Sequence, residues 1–194
     1  MALDGITLSM LKNELAEKLI GSRIDKIHQP SKEELVISLR WNGGNGKLLI
    51  SASANGPRIH FTESSVDNPK NPPMFCMLLR KYLTGAMIKD IRQQGMDRII
   101  FIDFDATNEI GDRIELTVCM EIMGKHSNFI LMSKGRVIDS IKRIDFATSS
   151  VRQILPGVEY KLPPQQDKLN IETASVEAIM ERITSFEKCF CRSE

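Results

Sequence analysis

Apolar positions at the front of the chain recur at helical spacing. Leu8, Leu11, Leu15 and Leu19 follow one another at three- and four-residue steps and predict a helix over 8–20. Thr7 stands where an N-cap belongs, and Gly21 where a helix stops. The pattern then changes to short runs bounded by turn residues. Strands are expected over 23–28, 35–41, 47–53 and 58–62. They are divided by Gln29-Pro30-Ser31, by Asn42-Gly43-Gly44-Asn45-Gly46 and by Asn55-Gly56-Pro57. Connections this short cannot hold crossover helices, so the strands must pair antiparallel.

A polar loop over 63–71 leads to Pro72-Pro73, which opens a second helix; proline loses no hydrogen bond in a first turn. Phe75, Leu78, Leu79, Tyr82 and Leu83 form its apolar stripe. Beyond Gly85, strands are expected over 87–93, 98–104, 112–121, 129–133 and 137–141. Helix followed by strands thus occurs twice, with no obvious sequence repeat between the halves. The fold class this predicts is α+β: two packed antiparallel sheets with helices at the ends. After Pro156-Gly157 the chain becomes an extended polar connector over 161–168. Val176, Ile179, Met180 and Ile183 then describe an amphipathic helix behind a Ser175 cap. One domain is expected over 1–171, and the start of a further, truncated helical domain over 172–194.

Composition narrows the class. Hydrophobic content of 42% and charged content of 26% are those of an ordinary globular protein. The apolar runs are too short to span a bilayer, and Met1-Ala2-Leu3-Asp4-Gly5 lacks the basic start and apolar core of a signal peptide. Cys76 and Cys119 sit in apolar patterns, while Cys189 and Cys191 have no histidine nearby, which argues against a zinc site. A reducing, cytoplasmic setting is expected. The net charge of +1 gives no global case for nucleic-acid binding. Locally, Lys125, Lys134, Arg136, Lys142, Arg143 and Arg152 stand against only Asp139 and Asp145, an arrangement compatible with phosphate contacts.

The densest polar chemistry lies in Glu121-Ile122-Met123-Gly124-Lys125-His126-Ser127-Asn128, between two strand-like runs. These side chains either hydrogen-bond the turn itself or present a polar face to a ligand. No phosphate-cradling loop, nucleophile elbow or metal-spaced histidine pair is present; His28, His60 and His126 are far apart in sequence. The chain is expected to have no catalytic residue, no metal and no cofactor.

Several blocks occur in a telling order. Lys26-Ile27-His28-Gln29-Pro30 is followed by Asn71-Pro72-Pro73-Met74-Phe75-Cys76-Met77-Leu78-Leu79-Arg80-Lys81. Gly95-Met96-Asp97-Arg98-Ile99, Asn108-Glu109-Ile110-Gly111-Asp112 and the polar octet come next, then Leu155-Pro156-Gly157 and Tyr160-Lys161-Leu162-Pro163-Pro164. Over residues 2–167 this order resembles the N-terminal NFACT domain of the fibronectin-binding-protein-A-like family, which includes bacterial RqcH and eukaryotic NEMF. The resemblance implies an RNA-binding module of a ribosome-associated quality-control factor. Its partners would be tRNA and the large ribosomal subunit carrying peptidyl-tRNA, with tRNA recruited for template-free tailing of stalled chains.

It further implies that Asp4, Asp97 and Arg98 contact RNA, with Lys125, His126 and Asn128 as additional candidates. Arginine can hold a phosphate bidentately or lie on a base, and aspartate accepts from base amino groups. From the residues alone, the preferred reading is structural: Asp4 caps the first helix and Asp97-Arg98 closes a hairpin. The family's older name implies a surface adhesin for fibronectin as an alternative. Its fold also resembles the N-terminal domain of formamidopyrimidine-DNA glycosylases. Those enzymes begin their mature chains with Pro-Glu, whereas Ala2-Leu3 stands here.

Overall fold

The computed structural model describes residues 3–64, 67–164 and 173–190. The chain divides into two compact units, Met1–Lys161 and Leu162–Glu194. The first opens with α1 (Gly5–Leu19), which buries Leu8, Leu15 and Leu19. α1 starts before the apolar spacing does because Asp4, rather than Thr7, caps it: the carboxylate accepts the Thr7 N–H at 2.7 Å.

Four strands follow, β1 (Arg23–Ser31), β2 (Glu34–Trp41), β3 (Gly44–Ser51) and β4 (Arg58–Thr62). α2 (Met74–Leu83) precedes β5 (Met87–Gln93), β6 (Ile99–Thr107), β7 (Arg113–Glu121), β8 (Asn128–Ser133) and β9 (Arg136–Ser140). The second unit holds α3 (Val176–Phe190). No helix among the described residues is long and apolar enough to cross a membrane.

The nine strands hydrogen-bond in the order β4-β3-β2-β1-β5-β6-β7-β8-β9, every pair antiparallel. This replaces the expected pair of sheets with one. Its two halves meet at a narrow seam, where β1 and β5 share the single bridge Arg23↔Met87.

The seam also reveals the repeat that the sequence appeared to lack. Gly21 N–H donates to the Ile88 carbonyl and Gly85 N–H to the Ile24 carbonyl, each at 2.8 Å. Ile24 N–H donates to Ala86 at 3.0 Å, and Ile88 N–H to Ser22 at 2.9 Å. Exchanging the two halves reproduces the same bonds, so α1–β4 and α2–β8 are related by a local pseudo-twofold. Leu15, Leu19, Gly21, Ile24, Ile27 and Gln29 recur at identical spacing as Leu79, Leu83, Gly85, Ile88, Ile91 and Gln93. Gly21 and Gly85 both adopt φ of +81°, the left-handed stop that favours glycine after a helix. The register shifts between Ile24 and Lys26 and again between Ile88 and Asp90. Each bulge lets two isoleucines three positions apart face the same core.

That core is one cluster built from both halves, including Leu35, Ile37, Leu48 and Ile50 with Ile100, Ile102, Val118 and Leu131. Phe75, Cys76, Leu79 and Leu83 of α2 enter it. A smaller cluster covers the opposite face of β6–β9, with Ile99, Phe101, Cys119, Ile130 and Met132 lying under Ile154 and Tyr160. β6 and β8 are therefore buried on both faces, which is why they read as continuous apolar runs.

Candidate nucleic-acid interface

The N-terminus of α1 is pressed against the β5–β6 turn. A Cβ at Gly5 would lie 1.9 Å from the Met96 carbonyl oxygen, so only glycine permits the approach. The Gln93 side chain locks the junction, its Nε2 donating to the Gly5 carbonyl at 2.9 Å and to the Asp97 carbonyl at 3.0 Å. Asp97 N–H closes the turn onto Gln94 at 2.9 Å. The Arg98 carbonyl accepts from Ile122 N–H at 2.8 Å, which sets the β7–β8 turn alongside. A helix cap and a hairpin remote in sequence thus form one corner.

Asp4 is exposed; Asp97 and Arg98 are half-buried. One Asp4 oxygen accepts from Thr7 N–H, and that bond holds its carboxyl below the usual range. Among the described residues, the side chains of Asp97 and Arg98 have no hydrogen-bond or ion-pair partner. The corner therefore offers carboxylate acceptors and an unengaged guanidinium to solvent, a set suited to base edges and phosphate. Gly5→Ala is expected to lower stability by about 1–3 kcal/mol despite alanine's better helix propensity, because the new methyl meets backbone. Urea unfolding checks this, and a variant as stable as the parent would mean that the corner yields freely.

The β7–β8 turn divides its polar residues between inside and outside. Lys125 and His126, on a 3-10 turn Gly124–His126, are exposed beside this corner. Asn128 is a correction to the expected contact set: it is 1% exposed, and its amide is engaged internally. Its Nδ2 donates to the Lys142 carbonyl at 2.8 Å, while its Oδ1 accepts from Phe129 and Lys142 N–H at 2.8 and 3.1 Å. Ser127 is also buried and accepts from Met123 N–H at 2.9 Å.

Glu121, at the end of β7, is the residue whose role the sequence concealed. Arg152 grips both its oxygens at 2.7 and 2.6 Å, and the Tyr160 hydroxyl donates to it at 2.8 Å. Arg152 also donates to the Lys161 carbonyl at 2.9 Å. Cys119 donates to the Tyr160 oxygen at 3.2 Å. Burial pushes both the Cys119 thiol and the Tyr160 phenol well up, so neither ionises at neutral pH. This staple fixes the segment after β9 over the second core cluster, directly beneath the polar turn.

Half of the basic residues over 122–152 are consumed in the same way. Arg152 is tied to Glu121, Arg143 to Asp139, and Lys142 to Glu33 and the Ala52 carbonyl. Among the described residues no group of three or more His, Cys, Asp or Glu could hold a metal ion.

Comparison with known proteins agrees with this architecture. The family described as NFACT N-terminal and middle domains matches residues 4–191. The chain is 43% identical over 186 residues to the Rqc2 homolog RqcH of Bacillus subtilis (strain 168), covering 95% of this chain and 33% of that protein. It is 44% identical over 189 residues to the RqcH of Streptococcus suis (strain 05ZYH33), covering 96% and 34%. The chain thus spans about a third of the length of these relatives. The crystal structure of the N-terminal domain of fibronectin-binding protein PavA from Streptococcus pneumoniae superposes with a TM-score of 0.87 at 42% identity, covering 93% of this chain and 68% of that one.

Proposed function

The chain belongs to the NFACT N-terminal family, and on that premise we propose that it is the tRNA-contacting module of a cytoplasmic ribosome quality-control factor. The reading places tRNA at the corner of Asp4, Asp97 and Arg98, with Lys125 and His126 at its rim. One observation carries it: Gly5 and Gln93 bring the α1 cap against the β5–β6 turn, while Arg98 is left without an internal partner. A cap and a hairpin serving only their own elements have no need to converge. In the full-length factor the module would recruit tRNA to an obstructed large ribosomal subunit for template-free tailing. The peptidyl transfer would be the ribosome's chemistry, and the module itself would act by binding.

The test separates the cap from the contact. Asp4→Asn keeps an equally good N-cap and removes the charge, so folding should be unchanged while tRNA binding weakens. Asp97→Ala with Arg98→Ala should abolish tailing by the full-length protein, with large-subunit co-sedimentation retained. Unchanged tRNA binding by the stably folded triple variant defeats the proposal. The name of the PavA neighbour favours a second reading, fibronectin contact. Immobilised fibronectin retaining the protein through the same corner would favour that reading over tRNA.

A further inference from the structure

The pseudo-twofold supplies an internal control for surface charge. In the second half, the row Asp90↔Asp103↔Thr117 crosses β5, β6 and β7 on the face turned away from the main core. Asp90 apart, which accepts from Ile91 N–H, the charges on this face are matched on the spot. Arg92 pairs with Asp103 at 3.0 Å, Lys89 with Glu115 at 2.6 Å and Arg113 with Asp105 at 3.8 Å, while Thr117 donates to Asp103 at 2.6 Å. The equivalent row of the first half is Lys26↔Ser38↔Lys47, across β1, β2 and β3. Arg40 lies on the same face, two residues from Ser38. Among the described residues Lys26, Arg40 and Lys47 have no ion-pair partner. One face pairs its cations with carboxylates and its structural twin does not.

The uncompensated face is concave. Lys26, His28, Ser38, Arg40 and Lys47 line a cavity of about 430 Å³, whose lining includes one carboxylate, Asp25. Val36 lines it too and is 5% exposed, so part of the wall is apolar and dry. Like charges gathered in a cleft with low-dielectric walls repel one another and focus a positive field into it. His28 registers that field: burial first, then Arg80, Lys26 and Lys47, hold its imidazole below the ordinary histidine range. The backbones of Lys26 and Lys47 stand two strand spacings apart, about 10 Å, so that with Arg40 the cations spread across three strands as an array suited to a chain of phosphates.

We propose that this outer face of β1–β3 is a binding groove for the phosphodiester backbone of RNA, separate from the Asp4–Asp97–Arg98 corner. It rests on the RNA reading above and adds a second, sequence-independent surface to it. Lysines act as point charges on phosphates and Arg40 as a bidentate fork. The corner then serves selection, and the groove supplies affinity and its salt dependence.

The experiment measures binding of a fluorescently labelled tRNA transcript to the purified protein across a salt series. Parent, Lys26→Gln/Arg40→Gln/Lys47→Gln, Ser38→Glu, and Asp97→Ala/Arg98→Ala proteins are compared. The triple neutralisation should weaken binding at least about tenfold and flatten the log K against log salt slope by about two to three. Ser38→Glu sets a carboxylate between the lysines and should act in the same direction; it carries the test if the triple variant misfolds. Groove variants that bind like the parent while the corner variant fails overturn the groove and leave the corner standing. The reverse pattern overturns the corner and supports the groove, and a parent that binds no tRNA overturns both. The His28 ring resonances give an independent readout, since a bound polyanion should raise the pH of their titration. Tripolyphosphate raising it as far as tRNA does, at equal phosphate, would assign the site to free polyphosphate and overturn the RNA assignment.

Discussion

Arg152→Met is expected to destabilise the protein by about 3–5 kcal/mol, because it strands a carboxylate with no access to water. The Glu121 side chain is 0% exposed and that of Arg152 11%, so neither charge can be rescued by solvent. After the substitution the one side-chain donor to Glu121 that remains among the described residues is the Tyr160 hydroxyl. Glu121→Gln should cost less, since a neutral amide can still accept from both former partners. Pairing Arg152→Met with Glu121→Leu should recover much of the loss, because two buried charges then vanish together. Urea unfolding of the four proteins, with unchanged m, reads the coupling directly. An Arg152→Met protein within 1 kcal/mol of the parent, on the scale of an ordinary surface pair, would show that the staple is solvated. The damage should also reach tRNA binding. Ile122, next to Glu121, donates its N–H to the Arg98 carbonyl, so loosening β7 here releases the turn that presents the guanidinium.

What could be read from the sequence divides along the range of the interaction. β4 and β5 have the bounds that spacing predicts, because alternation and turn residues are local signals. The start of α1 was misplaced because Asp4 precedes the apolar run it serves. The number of sheets turned on one bridge, Arg23↔Met87, which leaves no mark on composition or periodicity. The repeat was present but spread over a helix end, a turn and a strand, with six matched positions among many unmatched ones. The Glu121 staple joins residues 31 and 39 apart, beyond the reach of any spacing rule. Charge misled in an instructive way. Half of the basic residues over 122–152, Lys142, Arg143 and Arg152, are ion-paired, whereas the unmatched cations of the groove come one to a strand and never form a run. The corner itself was expected only through family resemblance, and the requirement for glycine at position 5 appears only when the Met96 carbonyl is seen against it.

Phe75→Ala should cost about 3–5 kcal/mol, comparable to the broken staple, yet with a different functional signature. The ring is 7% exposed and lies in the cluster shared by both halves of the sheet, so the cavity it leaves is not confined to one repeat. Its α2 neighbours Leu79 and Leu83 are 1% exposed and held on β1 and β6, which limits collapse into the hole and pushes the cost upward. Met74, one residue earlier and 76% exposed, is the control: Met74→Ala should be within about 0.5 kcal/mol of the parent. A Phe75→Ala protein that loses under 1 kcal/mol would mean that α2 is not packed as described. The corner proposed to contact tRNA is built by α1, the β5–β6 turn and the β7–β8 turn, and none of the hydrogen bonds that assemble it involves α2. Below its lowered melting temperature the Phe75→Ala protein should therefore bind tRNA like the parent, whereas Arg152→Met should bind more weakly even when fully folded. Equal losses of binding in the two variants would show that the corner depends on global stability, and the specific link from Glu121 through Ile122 to Arg98 would fall.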